Sequence, residues 1–345
     1  MKREGKSRKQ NFFGWIKALI IALLLALVVH AFIFESTRIF SASMESTVCS
    51  GDYVYINKTC YGARFPITIL TFPFVKNWYA DWIQIPYFRL PGFGDYRRND
   101  IIFFNYPNVS DIPLDKKAAM TSRLAGLPGD TLLIKNKQVY INGVLQPFPE
   151  NARFRYRIIT NGTLLSDSFL TAYGLFEGGI ISAVGVYDFL MTRQQADTLE
   201  TDHSIQRVRM LSEESDRKSF DIFPNGSAFI HNRDNFGPVV IPKKGMKVPV
   251  NYKNISLYQR IISVYEDNAL EIIDYKVFIN EEPVHDYTFT MDYFFVLDDN
   301  RDNAHDSRHW GFVPEDHIIG KAAMIWFSKG NKNNKQKDRI FKTIW

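Results

Sequence analysis

The chain has 345 residues, a net charge of +5 and two cysteines. That is long enough for one large core or two modest ones. Lys2, Arg3, Lys6, Arg8, Lys9 and Lys17 against a lone Glu4 account for the whole positive excess, so the rest of the chain is near neutral. This argues against a nucleic-acid partner, which would draw the excess onto the folded part. The absence of a CxxC or Cys/His cluster argues against a metal site.

A basic tail over 1–11 leads into an apolar stretch over 12–34, interrupted only by Lys17 and His30. About 20 helical residues cross the hydrocarbon of a bilayer, so this stretch is long enough for one transmembrane helix. Lys17 can snorkel from the helix end. The cationic tail belongs on the cytoplasmic side, which puts the remainder outside. Ser41-Ala42-Ser43 is a small-x-small triplet of the kind that ends a cleaved leader. The apolar stretch, however, exceeds the roughly 7–15 residues of a leader's apolar region, so a retained anchor is the expectation.

Beyond the anchor the pattern is mostly β. Short β-branched or aromatic runs recur at Tyr53–Ile56, Ile101–Phe104, Thr131–Ile134, Val139–Ile141, Val277–Ile279 and Phe294–Leu297. Asn142-Gly143 after VYI predicts a tight hairpin. Ser256–Glu266 has the best helical spacing. Cys49 and Cys60 flank the first run, which would hold them apart, so two free thiols are expected rather than a disulfide. Ile67–Phe93 is dense in aromatics with little charge. It reads either as core or as a surface at the membrane interface, where Trp and Tyr are favoured. Lys137–Asn142 is echoed by Lys276–Asn280, and the NRDN at Asn232–Asn235 recurs at Asn300–Asn303. The unequal offsets exclude a strict repeat and leave partial duplication or shared turn chemistry.

Three clusters carry the chemistry. They are Phe40–Asp52 (FSASMESTVCSGD), Arg97–Phe104 with Ser122–Asp130 (SRLAGLPGD), and Asp299–Gly311 (DNRDNAHDSRHWG). Their content and order resemble the type I signal peptidase family, the membrane-anchored Ser/Lys proteases. Ser41, Ser43, Met44, Thr47, Gly51 and Asp52 match the first family motif, and the third cluster matches most closely. The resemblance implies a β-rich catalytic domain from 35–130 and 293–345, with an enlarged second β-rich region inserted over 131–292. It implies Ser43 as nucleophile and Ser41 as oxyanion donor beside the Ser43 N–H. Arg123, Asp306 and Arg308 become a supporting ion-pair cluster. It also implies signal peptides of exported preproteins as substrates, and a single-pass location with the catalytic domain on the outer face of the cytoplasmic membrane. Neither metal nor other cofactor is expected.

Serine needs a base to act as a nucleophile near neutral pH. A buried lysine with a lowered pKa can serve. The family carries that lysine immediately before the Arg of the second cluster, and Ser122 stands there instead. The family serine that orients the lysine is Ala304 here. Losing both together avoids leaving either polar group unpaired. Lys116 and Lys117 are nearby lysines, and His305, next to Ala304, is the alternative base. Two functions follow: a serine endopeptidase that removes signal peptides, or a catalytically silent relative that binds substrate or accompanies an active paralogue. A β-rich structural protein with incidental motifs is a third, weaker alternative.

Overall fold

The structure is a computed structural model that describes residues 8–70, 79–80, 82–226, 228–330 and 339–344. The fold is mostly β, preceded by one long helix, Arg8–Phe32. Its Phe12–Phe32 part has a mean hydropathy of 2.6 and is unburied except near its C-terminal end, so by length and composition it can cross a membrane. Only Ile33 separates this helix from the strand Phe34–Arg38, which pairs antiparallel with Asp52–Asn57. The helix end is thus fastened to the sheet within a few residues. Phe32 meets Phe65 edge-on, with ring centroids 5.0 Å apart.

The main sheet runs in the order Phe34–Arg38, Asp52–Asn57, Ile318–Ser328, Ile101–Asn105, Ala119–Gly126, Tyr293–Leu297 and Val313–Pro314. Lys342–Thr343 pairs alongside Ile318–Ser328. These strands come from the two ends of the post-helix chain. Ile101–Asn105 and Tyr293–Leu297 are buried on both faces of the sheet, which explains the continuous apolar runs IIFF and YFFVL, since such a strand has no polar side to alternate with. Ile101 and Phe103 join a cluster with Met44, Val54 and Ile325. Ile102 and Phe104 pack on the other face with Phe294, Val296 and Trp310.

The chain between these ends builds smaller sheets. Thr131–Lys135, Gln138–Ile141 and Val144–Leu145 form a meander, joined by Phe236–Val240. Asn142 and Gly143 both have positive φ, 52° and 81°, as the tight hairpin turn requires. The echoing segment forms the meander Leu270–Ile273, Lys276–Ile279 and Glu282–Val284. The two copies share turn chemistry: Asn142 Oδ1 accepts from the Thr131 N–H, and Asn280 Oδ1 accepts from the Ala269 N–H. Leu132, Phe236 and Val277 enter one core with Tyr293, Phe295 and Leu297 of the main sheet. A separate four-stranded sheet, ordered Ile205–Met210, Arg153–Thr160, Val186–Thr192 and Gly178–Ser182, carries the helix Arg193–Leu199 over its own core.

All six runs expected as strands are strands. The expected helix is present as Ile255–Arg260, continued by a wider turn over Ile261–Tyr265. Cys49 and Cys60 are free thiols. Of the aromatic stretch, residues 71–78 and 81 lie outside the described residues. The described part is largely surface: Trp82 is 74% exposed and Phe93 91%.

Candidate active site

Ser43 lies on a turn that follows the first strand, and the charged turn after Tyr293–Leu297 holds that segment in place. The Asn300 N–H donates to the Ser43 carbonyl at 2.9 Å, and Asn300 Nδ2 donates to the Ala42 carbonyl at 3.2 Å. Thr47 donates its hydroxyl to Asp299. Asp299 is in turn gripped by both arms of Arg123 at 2.7 Å each. The serine turn, the GLPGD-bearing strand and the charged turn are therefore locked by buried charge-assisted bonds, which are strong where water is excluded.

A second buried pair stiffens the turn itself. Arg308 grips Asp306 through two bonds of 2.9 Å, and Asp306 also accepts from the Arg308 N–H to cap the short helix Ser307–Trp310. Burial opposes the Asp306 charge, but Arg308 outweighs it and holds the carboxyl below the usual carboxylate range. Arg123 and Arg308 thus serve two neighbouring pairs, Arg123–Asp299 and Arg308–Asp306, rather than one shared carboxylate. Residues from the 131–292 stretch reach the same turn. Arg153 donates its N–H to the Asp299 carbonyl at 2.7 Å. Glu177 accepts from Arg153, Asn300 and Asn303.

These elements surround an open cavity of about 250 Å³ lined by Ser41, Ser43, Met120, Asp298, Asn303, Ala304 and His305. The two serines expected as nucleophile and oxyanion donor are neighbours: the Ser43 N–H donates to Ser41 Oγ at 3.1 Å. Ser43 is half-buried and Ser41 exposed. Ser122 faces the charged turn from the adjacent strand. Leu297 is paired with Arg123, so the next antiparallel position sets Asp298 opposite Ser122. Ser122 is 1% exposed and its hydroxyl makes no hydrogen bond of ordinary length.

The other candidate bases fall differently. Lys117 reaches His317 at 3.5 Å and Lys116 pairs with Asp115, and neither lines the cavity. His305 does line it, exposed, with its ring stacked on His309 at 4.8 Å. Burial lowers His309 to about 4, so that ring is neutral near neutral pH. The first NRDN, Asn232–Asn235, is not at the cavity. It packs behind the second, and Lys137 joins Asp234 to Asp302.

Sequence reasoning missed Asp298. Its side chain is fully buried at the cavity wall, and neither carboxylate oxygen has a hydrogen-bond partner of ordinary length. Burial and the neighbouring Asp306 push its carboxyl up, to about 8, while the nearby hydroxyls of Ser122 and Ser43 favour the anion. The doubled acid Asp298-Asp299 after an apolar strand was the available signal. Among the described residues no group of His, Cys, Asp and Glu is arranged to hold a metal ion.

The arrangement is a pair of serines on the wall of an open cavity, in a mostly β fold that follows an apolar helix long enough to cross a membrane. The profile of the family "Signal peptidase, peptidase S26" matches residues 12–235 and 238–327, and the chain belongs to that family. It is 25% identical to Signal peptidase I of Buchnera aphidicola subsp. Baizongia pistaciae, over 94% of this chain and 78% of the relative. It is 23% identical to Signal peptidase I of Pseudomonas aeruginosa, over 90% of this chain and 71% of the relative. A shorter stretch, 40% of this chain, is 32% identical to Signal peptidase I P of Bacillus subtilis subsp. natto and covers 55% of that protein.

Proposed function

We propose that this protein is a signal peptidase-type serine endopeptidase that removes signal peptides from exported preproteins at the outer face of the cytoplasmic membrane. The observation that carries the reading is the pairing of Ser43 with Ser41 at 3.1 Å on the wall of an open cavity. Ser43 attacks the scissile carbonyl. The Ser43 N–H and the Ser41 hydroxyl take the oxyanion, a contribution of about 10²–10³ in rate for each donor. By the family resemblance, substrates carry small residues before the cut.

The apolar helix supports a single-pass anchor with its basic tail inside. The exposed Trp82, Phe88 and Phe93 support contact of the catalytic domain with lipid at the interface. The catalytic unit is 35–130 with 293–345. The 131–292 region serves as a brace through Arg153 and Glu177, which hold the charged turn.

Full-length protein in lipid vesicles, incubated with a reporter preprotein, should release the mature product, and Ser43→Ala should abolish release. Equal background in both would overturn the reading. A second reading has its own support: Ser122 and Ala304 stand where the family has its lysine and serine. A silent relative would bind preprotein without cutting it. In that case Ser122→Lys with Ala304→Ser should bring activity up more than either single change.

A further inference from the structure

We propose that Asp298 is the general base for Ser43, with Ser122 as the residue that positions it. This rests on the peptidase reading and supplies the proton acceptor which that reading lacks. The supporting observation is geometric. Asp298 is a fully buried side chain at the wall of the cavity that Ser43 also lines; no cation pairs with it, and the Ser122 and Ser43 hydroxyls beside it make no well-formed hydrogen bond to either oxygen. A buried carboxylate so weakly partnered is costly to keep, and such groups are rare in folded proteins unless they have work to do. The adjacent carboxylates are all committed: Asp299 to Arg123, Asp306 to Arg308. Asp298 alone is left uncommitted beside the two hydroxyls.

The charged and titratable groups around it set its strength. Asp306 is close, because its Oδ2 accepts from the Asp298 N–H at 3.1 Å, and it repels a second negative charge. Arg308 attracts that charge but is spent on Asp306. Arg123 is spent on Asp299, and His305 faces the same cavity from the exposed side. Burial and Asp306 therefore raise Asp298 from the ordinary carboxylate range toward that of a base effective near neutral pH. Proton transfer is most efficient when the base titrates near the working pH.

The steps balance without a further reagent. Ser43 Oγ forms a bond to the scissile carbonyl carbon while its proton passes to the Asp298 carboxylate, and the carbonyl π electrons move to the oxyanion. On collapse the C–N bond breaks, and the leaving nitrogen takes the proton from Asp298. Water then gives a proton to Asp298 as its oxygen attacks the ester carbonyl. The C–Oγ bond breaks, and Ser43 Oγ regains the proton.

The test uses the full chain in vesicles, with two readouts across pH 5–9. One is cleavage of a reporter preprotein, and the other is the labelling rate of Ser43 by a fluorophosphonate. The wild type should show both rates climbing with pH through about 8. Asp298→Asn should lower both by about 10²–10⁴-fold and flatten the climb. Ser122→Ala, which removes a hydroxyl that favours the anion, should move the climb to higher pH. A labelling rate in Asp298→Asn equal to wild type, or a climb that disappears in His305→Ala and persists in Asp298→Asn, would overturn the assignment. Normal labelling without preprotein cleavage would instead overturn the peptidase reading and leave the base assignment standing.

Discussion

The two NRDN turns share a four-residue sequence and lie back to back around Lys137, yet they differ in how far their polar groups are satisfied. At Asn232–Asn235, Asn232 Oδ1 accepts from the backbone of Asp234 and Asn235, and its Nδ2 donates to the Glu214 and Arg217 carbonyls. No buried side-chain polar atom of that turn is without a partner, whereas Asp298, Asn300 and Arg301 in and beside the second turn all have one. Identical local sequence thus builds a saturated bracket in one place and an under-satisfied one in the other. The orphaned polar atoms lie in and beside the turn that lines the cavity, while the copy away from it is fully satisfied.

The largest expected effect tests the link between the copies. Lys137→Met removes a buried cation held by Asp234 and Asp302 and leaves two uncompensated carboxylates. Stability should fall by about 3–5 kcal/mol in chemical denaturation. Asp298→Asn should act in the opposite direction. The folded protein holds the Asp298 proton more tightly than the unfolded chain does, so this carboxyl favours folding most below the ordinary carboxylate pKa. That contribution is lost as pH rises toward about 8. The variant's advantage in melting temperature should therefore be small at pH 4 and grow through pH 8. A constant difference would mean that the carboxyl titrates normally.

Two milder changes sharpen the contrast between the turns. Asn232→Ala should cost about 1–3 kcal/mol, because it strips partners from buried backbone groups. Asn300→Ala should cost less stability but lower cleavage more, since Asn300 Nδ2 holds the Ala42 carbonyl next to Ser43. Equal losses in both assays would erase the distinction. The smallest effect should come from Arg233→Ala. Its pair with Asp221 is exposed on both sides and is worth about 0.2–1 kcal/mol.

Much of the architecture could be read in advance because its signals are local. IIFF and YFFVL are sheet interiors by composition, Asn142-Gly143 dictates its turn, and the first and third clusters carry Ser43 and the charged turn that braces it. The sheet spanning Arg153–Met210 was invisible, because its strands alternate with Arg and Asp in patterns a loop could also show. Glu177 was likewise out of reach, since its value lies in contacts with residues more than a hundred positions away. Asp298 was missed for a subtler reason. The acid beside it, Asp299, has an obvious Arg partner, and only the pairing register of Leu297 with Arg123 turns its neighbour toward Ser122.

The bond from the Ser43 N–H to Ser41 Oγ has a consequence for timing. At rest the Ser43 N–H, one of the two donors proposed for the oxyanion, is occupied by Ser41 Oγ, so an arriving neutral carbonyl can only exchange one ordinary hydrogen bond for another at that donor and gains little from it. An alkoxide is a much stronger acceptor and displaces the internal bond outright. The latch therefore opens to negative charge rather than to shape, which withholds assistance from bystander peptides and releases it as the tetrahedral centre forms.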